Sequence, residues 1–343
     1  MNHIFYLHSN TCVISSFDII SDLVRRKENV IIVTERNVKY PFFEGKVALF
    51  DMQKVIDKYR IKSSSIIGQV INYRLSLHPN CNAFALKIIN DADFLLYTPS
   101  YNMYTIKPFV KNKHCKGYYY IEEGFMSYLS EKTLKGNFRN RRYKRGRILM
   151  DLVGAGESFD YKITEKFKGC IGLSNYSFPW CEDKNKITGF DRYFSNIPYE
   201  DVNIDYLITT DLLKDDVEII KAAFKTAIER MLQENTNAKF AIKFHPSAFV
   251  YEKEKAETII DYVQSAYKNN EITILPAPYS IEALMYHRSV SIFCIFGVSS
   301  LQLYALMLNS TPYMLVKENG NVVIKKIESV PEFIDISSVE WKS

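Results

Sequence analysis

What the sequence lacks removes several protein classes at the outset. No stretch approaches the ~20 consecutive apolar residues of a membrane-spanning helix. The beginning, Met1-Asn2-His3 before a short strand-like run, has neither the basic start nor the apolar core of a secretory leader, so a soluble or peripheral protein is expected. Cysteine is scarce and unpatterned: Cys12, Cys81, Cys115, Cys170, Cys181 and Cys294 make no CxxC pair and no regular framework. That argues against zinc and fits a reducing cytoplasm. Neither the phosphate-binding loop GxxxxGK(S/T) nor the dinucleotide fingerprint GxGxxG occurs, which argues against a nucleoside triphosphatase and an NAD enzyme. Internal repeats and low-complexity tracts are absent as well.

The 343 residues are enough for two domains, and 47% of them are apolar, which allows a large core. Aromatic residues reach 14%, with 24 Tyr and 22 Phe; this suits stacking on sugars or bases and equally a Tyr-rich core. The net charge of +5 is too small to imply nucleic acid by itself, but it is concentrated. Lys135–Arg147, KGNFRNRRYKRGR, holds seven Lys and Arg and no acid. A solvated loop is one reading. An anionic membrane surface or a polyanionic glycan is the other, with a nucleic-acid patch still open.

Short apolar runs alternate with helix-like stretches, the mark of α/β architecture. Ile4–Leu7, Val30–Val33, Phe94–Tyr97 and Tyr118–Ile121 are predicted strands, and Val13–Arg26 and Ser64–Leu77 carry apolar residues at helical spacing. Gly136–Asn203, rich in charge, glycine and aromatics, is expected to connect two domains and lead into the second. Alternation then returns. Asp205–Thr210, Lys239–Phe244, Ile272–Leu275, Val290–Phe296 and Tyr313–Val316 read as strands; Asp215–Gln233, Lys253–Tyr267, Ile281–Tyr286 and Ser299–Asn309 read as helices. Two open α/β domains result, and open parallel sheets bind ligands at the carboxyl ends of their strands.

Three strand-end features carry candidate chemistry. Tyr120-Ile121-Glu122-Glu123-Gly124 closes a strand with two carboxylates, of which alternation lets only one point easily towards a ligand. Mutual repulsion raises one pKa and favours a base working near neutrality, while Gly124 permits a sharp turn. Lys243-Phe244-His245-Pro246 ends a strand predicted to be half-buried, presenting an ammonium and an imidazole that could share a phosphate, with Pro246 fixing the turn. His78-Pro79 is a second such dipeptide, expected on a loop and without a role. Phe296-Gly297-Val298-Ser299-Ser300 joins an apolar strand to a helix start, where free N–H groups and hydroxyls suit an anion; plain capping by serine is compatible with this. Asp91-Ala92-Asp93 looks like a metal-binding DxD but precedes a strand rather than following one. His8, Asn10 and Thr11 follow the first strand, and Ser100 and Tyr101 follow another; both loops are expected to offer polar groups to an acceptor sugar.

The combination of an acidic-acidic-Gly triplet, a Lys-x-His-Pro and a later Ser-Ser, in that order, resembles the bacterial sialyltransferases of the GT-B fold. The similarity is closest to the polysialyltransferase and lipooligosaccharide sialyltransferase groups. By architecture it spans Ile4 to Val316, by motif only about a dozen residues. The resemblance implies an α/β GT-B fold: two Rossmann-like domains with a cleft between them. Residues 1–155 would form an acceptor domain carrying the base and 156–325 a CMP-donor domain, with a tail, 326–343, returning to the first. It implies inverting, metal-independent transfer of sialic acid from CMP-sialic acid to a galactoside or sialoside hydroxyl of a surface polysaccharide or lipooligosaccharide, with no cofactor beyond the donor. Glu122 would be the general base and Glu123 would orient the loop. His245 would hold or protonate the departing CMP phosphate, with Lys243 against the nucleotide. Ser299 and Ser300 would bind the phosphate beside Gly297, and Glu282, in Ser280-Ile281-Glu282, would meet the ribose hydroxyls. Because the triplet here is Glu-Glu, the choice of base between Glu122 and Glu123 stays open.

Two rivals share these residues. The same phosphate machinery could serve another CMP-ulosonate, such as a Kdo or legionaminic acid donor. From another class, a polyanion- or nucleic-acid-binding protein could be built around Lys135–Arg147, binding in a strongly salt-dependent way. The expected location is the cytoplasm, at the inner face of the bacterial cytoplasmic membrane through that basic segment. Nothing in the sequence decides between a monomer and a homodimer.

Overall fold

The computed structural model describes residues 1–36, 38–60, 65–101, 103–130, 161–181, 184–197, 199, 201–210, 213–245, 248–276, 279–297 and 299–340. Lys135–Arg147 and Pro246 lie outside the described residues. The chain divides into two compact units, Met1–Asn196 and Ile197–Trp341.

The first unit is built on seven parallel strands: β1 (Asn2–Leu7), β2 (Asn29–Thr34), β3 (Ala48–Asp51), β4 (Phe94–Thr98), β5 (Cys115–Ile121), β6 (Phe167–Gly172) and β7 (Lys184–Ile187), in the order β3-β2-β1-β4-β5-β6-β7. In β1, Ile4 and Tyr6 join one core and Phe5 and Leu7 the other. Successive side chains of a strand alternate, so a sheet covered on both faces needs an unbroken apolar run such as Ile-Phe-Tyr-Leu. Helix Met52–Tyr59 and the helical stretch Ile66–Ile89 cover one face through Met52, Ile56, Tyr73, Leu77, Cys81 and Ala85. Helix Asn10–Arg25 covers the other with Cys12, Val13, Ile20 and Leu23.

The second unit repeats the plan. Its strands are β8 (Tyr206–Thr210), β9 (Phe240–Lys243), β10 (Ile272–Ile274), β11 (Ser291–Ile295), β12 (Thr311–Glu318) and β13 (Asn321–Lys326), in the order β10-β9-β8-β11-β12-β13. All pairs are parallel except the β12–β13 hairpin, whose two-residue turn puts Asn319 (φ 50°) and Gly320 (φ 81°) in the left-handed region. That conformation is the reason an Asn-Gly pair makes tight hairpins. Helices Val217–Glu234 and Lys253–Ala266 bury Ile220, Phe224, Ala227, Ile259 and Val263 on this sheet. Both units thus carry the strand order of the Rossmann fold, as the GT-B resemblance implies.

Three expectations need correcting. The boundary falls after Asn196, not after 155, because the stretch read as a connection contributes β6 and β7 to the first sheet. The tail belongs with the second unit, where helix Val330–Glu340 packs beside helix Ser300–Met307. His78 and Pro79 open helix His78–Ile89 instead of occupying a loop.

Gly172, the last residue of β6, is held to glycine by contact: an added Cβ would lie 2.5 Å from the Ser177 Cβ. Gly172→Ala is expected to lower stability by about 1–3 kcal/mol, read by chemical denaturation. Combination with Ser177→Gly, which removes the obstructing carbon, should cost less than the sum of the two single changes.

Candidate functional site

Because the strands of the first sheet are parallel, His8, Glu35, Ser100, Glu122 and Leu173 all follow strand ends on one edge. Glu122 is fully buried. Its Oε1 accepts a hydrogen bond from the Tyr128 hydroxyl at 2.8 Å, and its Oε2 accepts from the Leu173 N–H and the Ser177 hydroxyl, both at 2.7 Å. Glu123, next along the chain, turns the other way. Its Oε2 lies 2.7 Å from His8 Nε2, and only 5% of its side chain is exposed. Its Oε1 is buried without a hydrogen-bond partner among the described residues.

The backbone of this acidic pair is pinned from two sides. Ser9, the N-cap of helix Asn10–Arg25, accepts from Cys12 N–H and donates to the Glu123 carbonyl, while Ser15 donates to the Glu122 carbonyl. The Glu123 N–H is bonded to Ser127 Oγ. Gly124 then takes φ 127°, ψ −149°, a conformation essentially confined to glycine. Burial alone would lower the His8 pKa, but the Cys12 sulfur and the Glu123 carboxylate outweigh it and hold the imidazole up at about 10.

The expected acceptor residues separate. Asn10 is exposed, whereas Thr11 and Ser100 are buried, and Ser100 exchanges bonds with Thr98. Tyr101 packs edge-on against Tyr118, with Lys162 over its ring. Of the five, Asn10 is exposed and Tyr101 partly so, while His8, Thr11 and Ser100 are buried. A residue that sequence reasoning passed over is Glu35, just after β2. It is buried and accepts from the Tyr6 hydroxyl and, at 2.8 Å, from the Thr105 hydroxyl. The rule that singled out the other strand ends applies to it equally. A groove of about 870 Å³ elsewhere in this unit is lined by Lys39, Lys54, Lys58, Lys87, Phe50 and Phe84, and by none of the expected site residues.

In the second unit Lys243 ends β9 and is buried rather than half-exposed, because β8 and β10 flank its strand and both faces are covered. Its Nζ donates to the Pro276 carbonyl at 2.5 Å. Desolvation lowers its pKa to about 8 against the pull of Glu282. Glu282 lies in the first turn of helix Ile281–His287; its own pKa is raised by burial, countered in part by hydrogen bonding, including the Ser280 hydroxyl, and by Lys243. His245 is exposed, and its carbonyl accepts from Ala248 N–H.

At the end of β11, Phe296 adopts φ 48° before Gly297. Ser299 then caps helix Ser300–Met307 in a reciprocal box: its hydroxyl accepts from Leu301 N–H at 3.2 Å, and Gln302 Oε1 accepts from Ser299 N–H at 2.9 Å. Gln302 is fully buried, yet its Nε2 has no partner among the described residues. The same holds for Thr210 Oγ1 at the end of β8, in register with Ile295 of β11. These two unsatisfied groups beside the Phe296–Ser300 turn were not foreseen, although Thr209-Thr210 closes a predicted strand.

Asp93 of the DxD-like sequence pairs with His114 and Lys116 at the amino end of β4. All six cysteines are buried, and no disulfide joins them. No described helix is long and apolar enough to cross a membrane.

No protein-family model matches the sequence, and no curated protein matches it. Solved structures similar in chain path include a UDP-GlcNAc 2-epimerase from Methanocaldococcus jannaschii, at 15% identity and TM-score 0.47 over 99% of this chain and 92% of that one. A UDP-GlcNAc 2-epimerase from Neisseria meningitidis, bound to UDP-GlcNAc, aligns at 14% identity and TM-score 0.46 over 100% and 93%. The E. coli heptosyltransferase WaaC aligns at 9% identity and TM-score 0.44 over 99% and 98%. Likenesses of this degree carry nothing about donor, acceptor or reaction.

The Lys243 site makes a signed prediction. A lysine whose folded pKa is depressed costs stability while it stays charged, and between about pH 8 and its unfolded value the folded state sheds the proton first, so stability rises with pH. Lys243→Met should therefore be more stable than the parent at pH 7, by about 1–3 kcal/mol. The advantage should shrink above pH 8. Thermal unfolding from pH 6 to 10 reads both; a gap that widens with pH would contradict it.

Proposed function

We propose that this chain is a glycosyltransferase that moves sialic acid from CMP-sialic acid to a glycan hydroxyl with inversion at the anomeric carbon. One observation carries the reading: Glu123 fixes one carboxylate oxygen against His8 and keeps the other buried without a partner among the described residues. An oxygen with no donor of its own keeps its lone pairs for a sugar hydroxyl that reaches it. Glu122 is a poor candidate for the same task, since three donors already occupy its two oxygens. The base in this proposal is Glu123, with Glu122 as the anchor that orients it.

As the acceptor oxygen bonds to the anomeric carbon, the bond from that carbon to the phosphate oxygen breaks, CMP departs, and the hydroxyl proton passes to Glu123. The second unit would receive the leaving group. Lys243, His245 and the helix start at Ser299 and Ser300 would meet the phosphate, and Glu282 the ribose hydroxyls. Gln302 Nε2 and Thr210 Oγ1 add two unsatisfied polar groups to the same turn. In this reading these fixed positive and dipolar groups take the role a metal plays in other transferases. The choice of CMP-sialic acid over another CMP-ulosonate rests on the motif resemblance alone.

CMP release from CMP-sialic acid, with galactoside, lipooligosaccharide-like and oligosialic acceptors, tests the proposal. Release should depend on acceptor. Glu123→Gln should lower kcat roughly 100-fold or more with the far-UV spectrum of the folded parent, and His245→Ala should abolish turnover. Glu122→Gln, which keeps an acceptor for Leu173 and Ser177, should retain more activity than Glu123→Gln; the reverse order would return the base to Glu122. Turnover only with CMP-Kdo or CMP-legionaminic acid would change the donor, and neither release nor CMP binding would remove the reading.

A further inference from the structure

From Ile66 to Ile89 the chain stays helical: Ile66–Asn72, a π-turn over Tyr73–Leu77 and His78–Ile89 follow one another with right-handed helical backbone at both junctions. One side of this stretch packs into the first core through Tyr73, Leu77, Cys81, Ala85 and Ile88. The other side is not polar, as a solvent face would be. Ile67 is 69% exposed, Ile71 52%, Leu75 78% and Leu86 51%. A spacing of four residues overshoots an α-helical turn by roughly 40°, and the wider π-turn takes up part of that drift. Ile67, Ile71 and Leu75 are thereby kept on one apolar ridge.

The ridge's own segment carries charge of one sign, the nearest acids being Asp57 before it and Asp91 and Asp93 after it. The sequence from Lys58 to Asn90 contains no Asp or Glu, and neither does Phe94–Ile121. Arg74, Lys87 and Lys111 are exposed, and no described carboxylate forms an ion pair with them. A hollow of about 480 Å³ lies beside Leu86, lined also by His78, Asn82, Lys107 and Lys111. The positive field there is felt by His78, whose pKa is lowered first by burial and then by Arg74, Lys107 and Lys111.

We propose that this face docks the protein on a bilayer carrying anionic lipids, with Ile67, Ile71, Leu75 and Leu86 entering the acyl boundary and the flanking Arg and Lys meeting headgroup phosphates. An apolar stripe with basic flanks is the pattern of interfacial helices. A second copy of the chain fits less well, because a two-fold contact through this ridge would set the same cations against each other with no acid within Lys58–Asn90 to answer them. The surface is separate from Lys135–Arg147 and independent of the reaction proposed above.

Flotation of the full chain in a density gradient, with phosphatidylcholine vesicles alone or mixed with phosphatidylglycerol, tests the surface. The protein should float with the anionic vesicles and stay down with the neutral ones at physiological salt. Ile71→Ser with Leu75→Ser should weaken binding roughly tenfold or more at an unchanged far-UV spectrum, and Arg74→Gln with Lys111→Gln should reduce the preference for anionic lipid. As a second readout, the indole fluorescence of Leu75→Trp should shift to the blue on anionic vesicles and be quenched by brominated acyl chains. Failure of the parent to float would overturn the proposal. So would flotation that survives Ile71→Ser with Leu75→Ser, which would place binding elsewhere, or Leu75→Trp fluorescence indifferent to vesicles. A concentration-dependent dimer that the same pair dissolves, without flotation, would give the ridge to a second copy instead.

Discussion

A carboxylate beyond the reach of water is tolerable only when its oxygens are bonded, and Glu122 imposes that condition on the whole carboxyl edge of the first sheet. Its donors come from the turn after β5 (Tyr128) and the segment after β6 (Leu173 and Ser177). One side chain thus ties two neighbouring strands to the loops that follow them. Gly172 must stay a glycine for Ser177 to approach. With Glu122 turned inward, the next residue of an extended chain turns the other way, which delivers Glu123 to His8 at the end of β1. The direction of the Glu123 side chain is a consequence of the buried anchor.

The second unit repeats the strand order but solves a different electrostatic problem. Lys243 is buried on β9 with a carbonyl for its ammonium and Glu282 as its carboxylate neighbour. The lysine is pushed down and the glutamate up, each towards its neutral form. Such a pair is under-compensated, and an anion arriving beside Lys243 would favour the ammonium again. A ligand that binds only the folded state would then recover stability that the buried cation costs. Thr210 and Gln302 also keep polar atoms unsatisfied among the described residues of this unit.

Much of this architecture was legible from period and punctuation. The central strands β1, β2, β4, β5 and β8 to β12 are apolar runs and were all expected, as were helices Asn10–Arg25, Val217–Glu234 and Lys253–Ala266 from their stripes, whereas His78–Ile89 and Val330–Glu340 were not. Edge strands were harder. In β3 the residues are exposed or partly so, and β7, Lys184–Ile187, has little apolar content to mark it. The hairpin strand β13 was missed despite Asn319-Gly320, a plain turn signal. Burial was the weakest inference: alternation in Ala238–Phe244 suggested a half-exposed strand, but which sheet position a strand occupies is a tertiary fact. The same limit applied to the acidic pair. Alternation says that Glu122 and Glu123 face opposite ways, and only the packing of Tyr128 and Ser177 says which of them is enclosed.

The pairing of His8 with Glu123 then acts as a unit. Burial disfavours the imidazolium, and it persists because negative charge lies beside it. The carboxylate thus supplies the negative charge that the buried imidazole needs, with His8 Nε2 only 2.7 Å from its Oε2. The enclosed Glu122 is held differently, by the Tyr128 and Ser177 hydroxyls and the Leu173 N–H, all of them neutral donors. Two adjacent residues of the same type are thus divided by their neighbours into one enclosed by neutral donors and one set against an imidazole.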